Sequence, residues 1–314
     1  MVADTVSDKE FIELFEEFGA TETSRKLNMQ VRSVFARRSR IEQKLGQKIA
    51  NPKENMARPD PAYIGRQELV IGNGVILVGS DCHYYPNVVT PAHRAFIKFC
   101  KELKPSIVIM NGDVLDGTSI SRHPPQSWES YRPTLIEEIE TCQERLSEIE
   151  ASTPNAKHIW TIGNHDSRFE SRLARMAPEY ASVYGMQLSD HFPNWTHCMS
   201  VWVNNKIVIK HRYKGSIHAT HQNAVNSGKT MVTGHLHSLK VTPFTDYNET
   251  RYGVDTGTMA DINSPTFNYT EDNPKNWRQG FVVLTIKNKH LVYPEVVHVL
   301  DEKRVEFRGD ILEV

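Results

Sequence analysis

Cysteine is scarce in this 314-residue chain: Cys82, Cys100, Cys142 and Cys198 stand far apart and form no CxxC pair. A disulfide scaffold is excluded, and a reduced cytosolic protein fits better. No apolar run approaches the roughly 18–20 residues that a bilayer-crossing helix needs. The opening, MVADTVSDKEFIELF, lacks a basic stretch followed by an apolar core, so it does not read as a secretory signal. An excess of one charge is missing too: 37 Lys and Arg face 38 Asp and Glu. Whole-surface capture of a polyanion is thereby unsupported, although a local basic patch stays open. What is present, 39% hydrophobic and 24% charged residues, suits a globular protein with a large core. At about 150 residues per domain, the length predicts two domains or one large one.

Charge is segregated near the N-terminus. Asp4 to Glu22 holds seven acids and one base, whereas Arg25 to Lys48 holds eight bases and one acid. Phe11, Ile12, Leu14, Phe15 and Phe18 recur at helical spacing, with Ser7 as N-cap and Gly19 as a stop. A second short helix is predicted over Thr21–Leu27, a turn at Asn28-Met29, and a third helix carrying Val31, Val34, Ile41 and Leu45 to Gly46. The stretch ATETSRKLNMQVRSVFARRSR resembles the helix-turn-helix of bacterial regulators and phage DNA-binding modules. That resemblance implies DNA contacts from Arg32, Arg37, Arg38, Arg40 and Lys44. A basic solvated helix or a protein-docking appendage is the alternative. Residues 1–49 are thus read as a helical, helix-turn-helix-like domain. Residues 50–65, with three prolines and no periodicity, read as a linker or arm.

From residue 66 to 314 the text changes to strands alternating with helices, then becomes β-rich. GVILVGS at 74–80 reads as a strand buried on both faces. A helix over Ala92–Leu103, a strand at Ile107–Met110, a helix over Thr134–Glu150 and a strand at Lys157–Thr161 follow. Next come a hairpin around Asn204-Asn205, a helix over Ser216–Ser227 and a strand at Thr230–Thr233. Further strands are expected at Phe281–Ile286 and Leu291–Val299.

Polar groups able to hold metal close these strands, where open α/β sheets place their ligands. In order they are Asp81-Cys82-His83, Gly112-Asp113 through Asp116-Gly117, Gly163-Asn164-His165-Asp166, His211, and Gly234-His235-Leu236-His237. Any one alone carries little weight. All five in series, holding five of the fourteen histidines, point to one site.

The series DxH, GDxxD, GNH[DE], lone His and GHxH resembles the calcineurin-like metallophosphoesterase superfamily over about residues 74–260. The resemblance implies a four-layer αββα sandwich of two mixed sheets carrying two metals at its strand ends. It implies that Asp81, His83 and His237 hold one metal, that Asn164, His211 and His235 hold the other, and that Asp113 bridges both. It also implies that His165 stands beside the phosphoryl group as general acid, oriented by Asp116. Asp166 reads as a structural hydrogen-bond acceptor, and Cys82 as a small apolar group turned into the sheet.

The chemistry agrees with those roles. Two divalent ions about 3.5–4 Å apart share a carboxylate and lower the pKa of water toward neutrality. They also neutralise phosphoryl oxygens, so residues 51–314 need no basic surface; their 28 bases and 30 acids sum to −2. A mixed Asp, Asn and His set favours manganese, with iron or zinc as alternatives, over calcium or magnesium. Gly117 directly after Asp116, and GNHD rather than GNHE, depart from the protein Ser/Thr phosphatases and resemble the nuclease, nucleotidase and cyclic-nucleotide diesterase branches. Arg122, Arg168 or Arg212 stand in for the phosphate-gripping arginine of those phosphatases. Trp128 and Tyr131, in the loop 119–133, are candidates to stack on a base. The expectation is a dinuclear phosphodiesterase or nuclease acting on nucleic acid or nucleotides, in the cytoplasm of a bacterium or phage-infected host, with no membrane attachment. A phosphomonoesterase with a helical docking module, and a non-catalytic DNA-binding regulator, are the alternatives.

Overall fold

Alternation of apolar residues within short strands decides how this chain is layered. A computed structural model describes residues 6–50, 63–122, 132–181, 183–264, 267 and 270–314. The chain divides into two compact units, Met1–Pro61 and Ala62–Val314.

In the smaller unit, helix α1 (Asp8–Lys26) starts at a Ser7 capping box closed by Glu10. Gly19 takes φ 73°, ψ 178°, well outside helical values, so the span is two helical segments that meet at a break where the sequence places the stop. After a turn at Asn28 (φ 49°), helix α2 (Val31–Leu45) runs to Gly46, whose left-handed conformation closes it. Phe11, Phe15, Leu27, Val34, Ile41 and Ile49 form the core of this unit.

The larger unit holds fifteen strands among the described residues. The first seven are β1 (Gln67–Leu69), β2 (Gly74–Gly79), β3 (Ile107–Met110), β4 (Lys157–Thr161), β5 (Thr196–Cys198), β6 (Val201–Val203) and β7 (Ile207–Ile209). The rest are β8 (Thr230–Thr233), β9 (Lys240–Thr245), β10 (Thr250–Asp255), β11 (Gly280–Lys287), β12 (His290–Leu291), β13 (Glu295–Val299), β14 (Arg304–Phe307) and β15 (Asp310–Glu313). One mixed sheet runs β15-β14-β13-β11-β2-β3-β4-β5, with β12 paired to β11; the other runs β1-β6-β7-β8-β10-β9. Strands β2, β3, β4 and β5 are parallel, as are β7, β8 and β10. The β6–β7 hairpin turns on Asn204 and Asn205, both at positive φ, the conformation a tight two-residue turn demands.

Period-two side chains then sort into two cores. Ile76, Val78, Ile107, Ile109 and Ile159 face the second sheet and meet Val201, Ile209, Val232 and Val254. Leu77, Val108, Met110 and Trp160, on the opposite face of the same strands, pack under helices. Those helices are α3 (Pro91–Leu103), capped by Thr90 with proline at its start, and α4 (Leu135–Ser152), opened by a Thr134–Glu137 capping box. Helix α5 (Arg168–Met176) follows β4, and α6 (Ala219–Ser227) packs on β8, β9 and β10. The layers are helix, sheet, sheet, helix.

The expected strand Leu291–Val299 is split into β12 and β13, with Pro294 in the gap lacking the N–H a ladder needs. Most of the expected linker lies outside the described residues, but Tyr63 is already buried in the larger unit and Ile64 bridges to Cys198. Trp128 and Tyr131 also lie outside the described residues. No helix among the described residues is long and apolar enough to cross a membrane.

Candidate metal centre

Strand ends bring the five motifs to one place. Asp81 follows β2, Asp113 follows β3 and Asn164 follows β4, all in the nine-stranded sheet; His211 follows β7, and His235 and His237 follow β8, in the six-stranded sheet. Potential ligand atoms of Asp81, His83 and His237 lie within 4.8 Å of one another, as do those of Asp113, His211 and His235, and those of His83, Asp113 and His165. Asp113 is common to two of these groups. Asn164 Oδ1 is 3.2 Å from His211 Nε2.

The backbone is bent to achieve this. Asp81, His83, Asp113, His235 and His237 all take positive φ, between 40° and 73°. Such a conformation costs an L-residue roughly 1–2 kcal/mol and concentrates where function demands it. Neighbouring glycines make the room: a Cβ on Gly234 would stand 2.4 Å from Asp81 Oδ2. Gly163 is just as tightly placed against Asp113.

Hydrogen bonds fix which nitrogen each imidazole offers. His211 donates from Nδ1 to the Asn111 carbonyl at 2.9 Å, so Nε2 is the nitrogen turned to the centre, 3.1 Å from Asp113 Oδ2. His83 and His165 both donate from Nδ1 to Asp116 Oδ1, at 2.8 and 2.9 Å. His83 Nε2 is buried without a hydrogen-bond partner among the described residues, and His237 Nε2 sits 3.1 Å from Asp81 Oδ1. An orphaned nitrogen is costly unless something else takes its lone pair, as a divalent cation would. The donor set, with its buried carboxylates and outward lone pairs, fits such an ion.

Electrostatics follow the same geometry. Burial alone would raise the three aspartates, yet the facing imidazoles hold them below the ordinary carboxylate range. His237 and His211 do this for Asp81, His211 for Asp113, and His165 and His83 for Asp116. Burial would lower His211, but Asp113 and Asp81 push it up to about 10. Burial would likewise lower His165, and its hydrogen bond to Asp116 turns the balance upward. The same anionic field that draws protons here draws cations.

Asp166 accepts from the backbone of Asp113, Val114, Leu115 and Gly163 and from Trp160 Nε1, which locks the two motif loops together. Cys82 is buried against Met259. Several participants carry no metal-ligating signature in sequence. The Ser80 hydroxyl donates to Asp81 Oδ2 at 2.5 Å, and Thr258 donates to the Asp81 carbonyl at 2.7 Å. Phe267 and Trp277 pack edge-on against His237. Arg168 reaches the Asp116 carbonyl at 2.9 Å and His165 Nε2 at 3.1 Å.

In the smaller unit the basic residues divide. Arg37 lies over Phe11 and binds the Val6 carbonyl; Arg38 lies over Phe15 and holds Glu42 and the Ile49 carbonyl. Lys44 reaches Asp8 at 3.3 Å. Arg32 and Arg40 are exposed.

A family model described as calcineurin-like phosphoesterase matches residues 74–279. The chain is 24% identical over 229 residues to the Gene 54 protein of Mycobacterium phage L5, covering 66% of this chain and 87% of that protein. It is 24% identical over 244 residues to the Gene 54 protein of Mycobacterium phage D29, covering 70% and 92%. Among solved structures it is similar to a single mutant of Vps29 from Entamoeba histolytica, at 14% identity and a TM-score of 0.39, covering 76% of this chain and 99% of that one.

Proposed function

Because this chain belongs to the calcineurin-like phosphoesterase family of metal-dependent phosphoester hydrolases, we propose that it is a phosphodiesterase cleaving nucleic acid or nucleotides at a two-cation centre. Asp81, His83 and His237 would hold one cation, Asn164, His211 and His235 the other, with Asp113 shared between them. The observation that carries this is the membership of Asp113 in two groups of mutually close ligand atoms. Bound there, divalent cations supply an acidified water and neutralise charge on the phosphoryl oxygens. The imidazole-rich donor set favours manganese, iron or zinc.

The chain's own groups do the rest. Asp116 accepts a hydrogen bond from His165 Nδ1 and orients the ring, leaving Nε2 4.0 Å from Asp113 Oδ2. As an imidazolium, which the Asp116 carboxylate stabilises, His165 protonates the leaving oxygen from Nε2. Arg168, held by the Asp116 carbonyl, supplies a guanidinium at the same edge and takes the place of an arginine after Asp116. Arg32 and Arg40, exposed on α2, bring the smaller unit to duplex DNA.

The test uses the purified full chain with Mn²⁺ on bis-p-nitrophenyl phosphate beside p-nitrophenyl phosphate. Faster hydrolysis of the diester, its loss on chelation, and a drop of at least 10³-fold in Asp113→Asn are expected. Equal turnover by Asp113→Asn removes the two-cation reading, and preference for the monoester removes the diesterase.

A further inference from the structure

Beside the metal centre lies a cleft of about 540 Å³ lined by Arg122, Arg168, Arg172, Arg175 and Arg212, with Asn164 at its inner end. Five guanidinium groups converge there in a unit whose 26 Lys and Arg, these five included, nearly balance its 28 Asp and Glu. The concentration is therefore local. Arg172 and Arg175 are exposed, and neither pairs with a carboxylate among the described residues.

Helix stability does not account for them. A helix favours acids in its first turn and bases in its last. Arg175 obeys that rule, but Arg168 occupies the first position and Arg172 the middle of α5. Glu170, the one acid of the helix, is turned away: it accepts from the Tyr63 hydroxyl and from the Leu188 backbone at 2.7 Å. Arg168, Arg172 and Arg175 stand at i, i+4 and i+7, hence on one face. At 1.5 Å rise per residue they are displaced by about 6 and 10.5 Å along the axis, a spacing comparable to successive phosphates of an extended strand. The row begins at the centre itself, because Arg168 touches His165 Nε2. Planar guanidinium groups suit the paired oxygens of a phosphodiester better than any other side chain.

We propose that this cleft is a backbone track for a single nucleic-acid strand, gripping the one or two phosphates adjacent to the scissile one through Arg172 and Arg175. The inference rests on the diesterase reading and sharpens it. The substrate is an oligonucleotide carrying several phosphodiesters, held on the side of His165, where the leaving group departs.

The experiment compares the full chain with Arg172→Gln/Arg175→Gln on a single-stranded hexathymidylate and on bis-p-nitrophenyl phosphate, both with Mn²⁺. The ratio of kcat/KM for hexathymidylate over the small ester should fall 10- to 100-fold, through KM. The slope of log affinity against log salt should fall by about 1.4, at about 0.7 per contact for single strands. An unchanged ratio overturns the track. Anisotropy of labelled hexathymidylate in EDTA judges the cleft separately from catalysis. If the wild type hydrolyses neither ester, the diesterase reading fails, while tenfold weaker binding by the variant still sustains the track and equal binding overturns it. Tripolyphosphate is the second ligand: displacement by it, with no binding of the hexanucleotide, assigns the cleft to free polyphosphate and overturns the strand.

Discussion

Gly163 lies against Asp113 so closely that a Cβ on the glycine would stand 2.1 Å from the carboxylate's Oδ1 and 2.4 Å from its backbone nitrogen. The two residues belong to different motifs, and the missing side chain of one is the space occupied by the other. Gly163→Ala should therefore displace Asp113. We expect loss of at least half the bound metal by elemental analysis and a fall of more than about 10²-fold in kcat/KM, the order that removing a well-placed catalytic group produces. Gly72→Ala, where a Cβ meets nothing within 4 Å, is the control. A fully active Gly163→Ala would contradict the close packing.

The fork at Asp116 separates two functions. His165→Ala should keep both cations and lose about 10² to 10⁴ in kcat, the usual worth of a general acid. Asp116→Ala removes the acceptor of both His83 and His165. It should cost turnover and also about 10- to 100-fold in cation affinity, as loss of a ligand-orienting partner does. Calorimetric titration with Mn²⁺ distinguishes them; loss of metal in His165→Ala would reverse the assignment of that histidine.

Acid stability depends on two buried histidines outside the proposed ligand set. Burial pushes His93 and His197 down to about 4, although Glu148 opposes this for His93. The unfolded chain takes up these protons below about 6.5, and the folded chain only near 4. Stability is therefore complete above about pH 6.5 and is lost as pH falls toward 4. Melting temperature should drop between pH 7.5 and 4.5, and His197→Phe, which deletes an unpartnered buried nitrogen, should shrink that drop. An identical drop in the variant would assign the loss to other groups.

For the smaller unit, the division among the arginines gives opposite expectations. Arg32→Gln/Arg40→Gln should weaken duplex binding and flatten its salt dependence by about 1.8, at about 0.9 per phosphate contact. Arg37→Gln should instead lower the melting temperature, since its guanidinium covers Phe11 and holds the Val6 carbonyl. Unchanged duplex affinity in the double variant would leave the α2 surface without a DNA role.

The strand-end residues were legible because Asp, Asn and His are conspicuous after apolar runs, and the parallel strands that carry them follow directly from β-branched text. The break at Gly19 was legible too, since glycine alone takes φ 73° without strain, and the two segments it separates share the core around Phe11 and Phe15. Ser80 and Thr258 escaped. Hydroxyl residues are common, and Thr258 meets Asp81 across 177 positions of chain. Helix α5 carries its arginines on one side, a pattern that reads as solvated surface until the cleft beside Asn164 is seen.

The interleaved Ile and Val layer between the sheets has a bearing on the chemistry that its distance conceals. Four of the proposed ligands ride on one sheet and three on the other, so the gap between two cations held there would be gauged by how Ile109 and Ile159 mesh with Ile209 and Val232. A methylene trimmed from that seam alters no charge and touches no ligand, yet it resets the calipers in which the cations are measured.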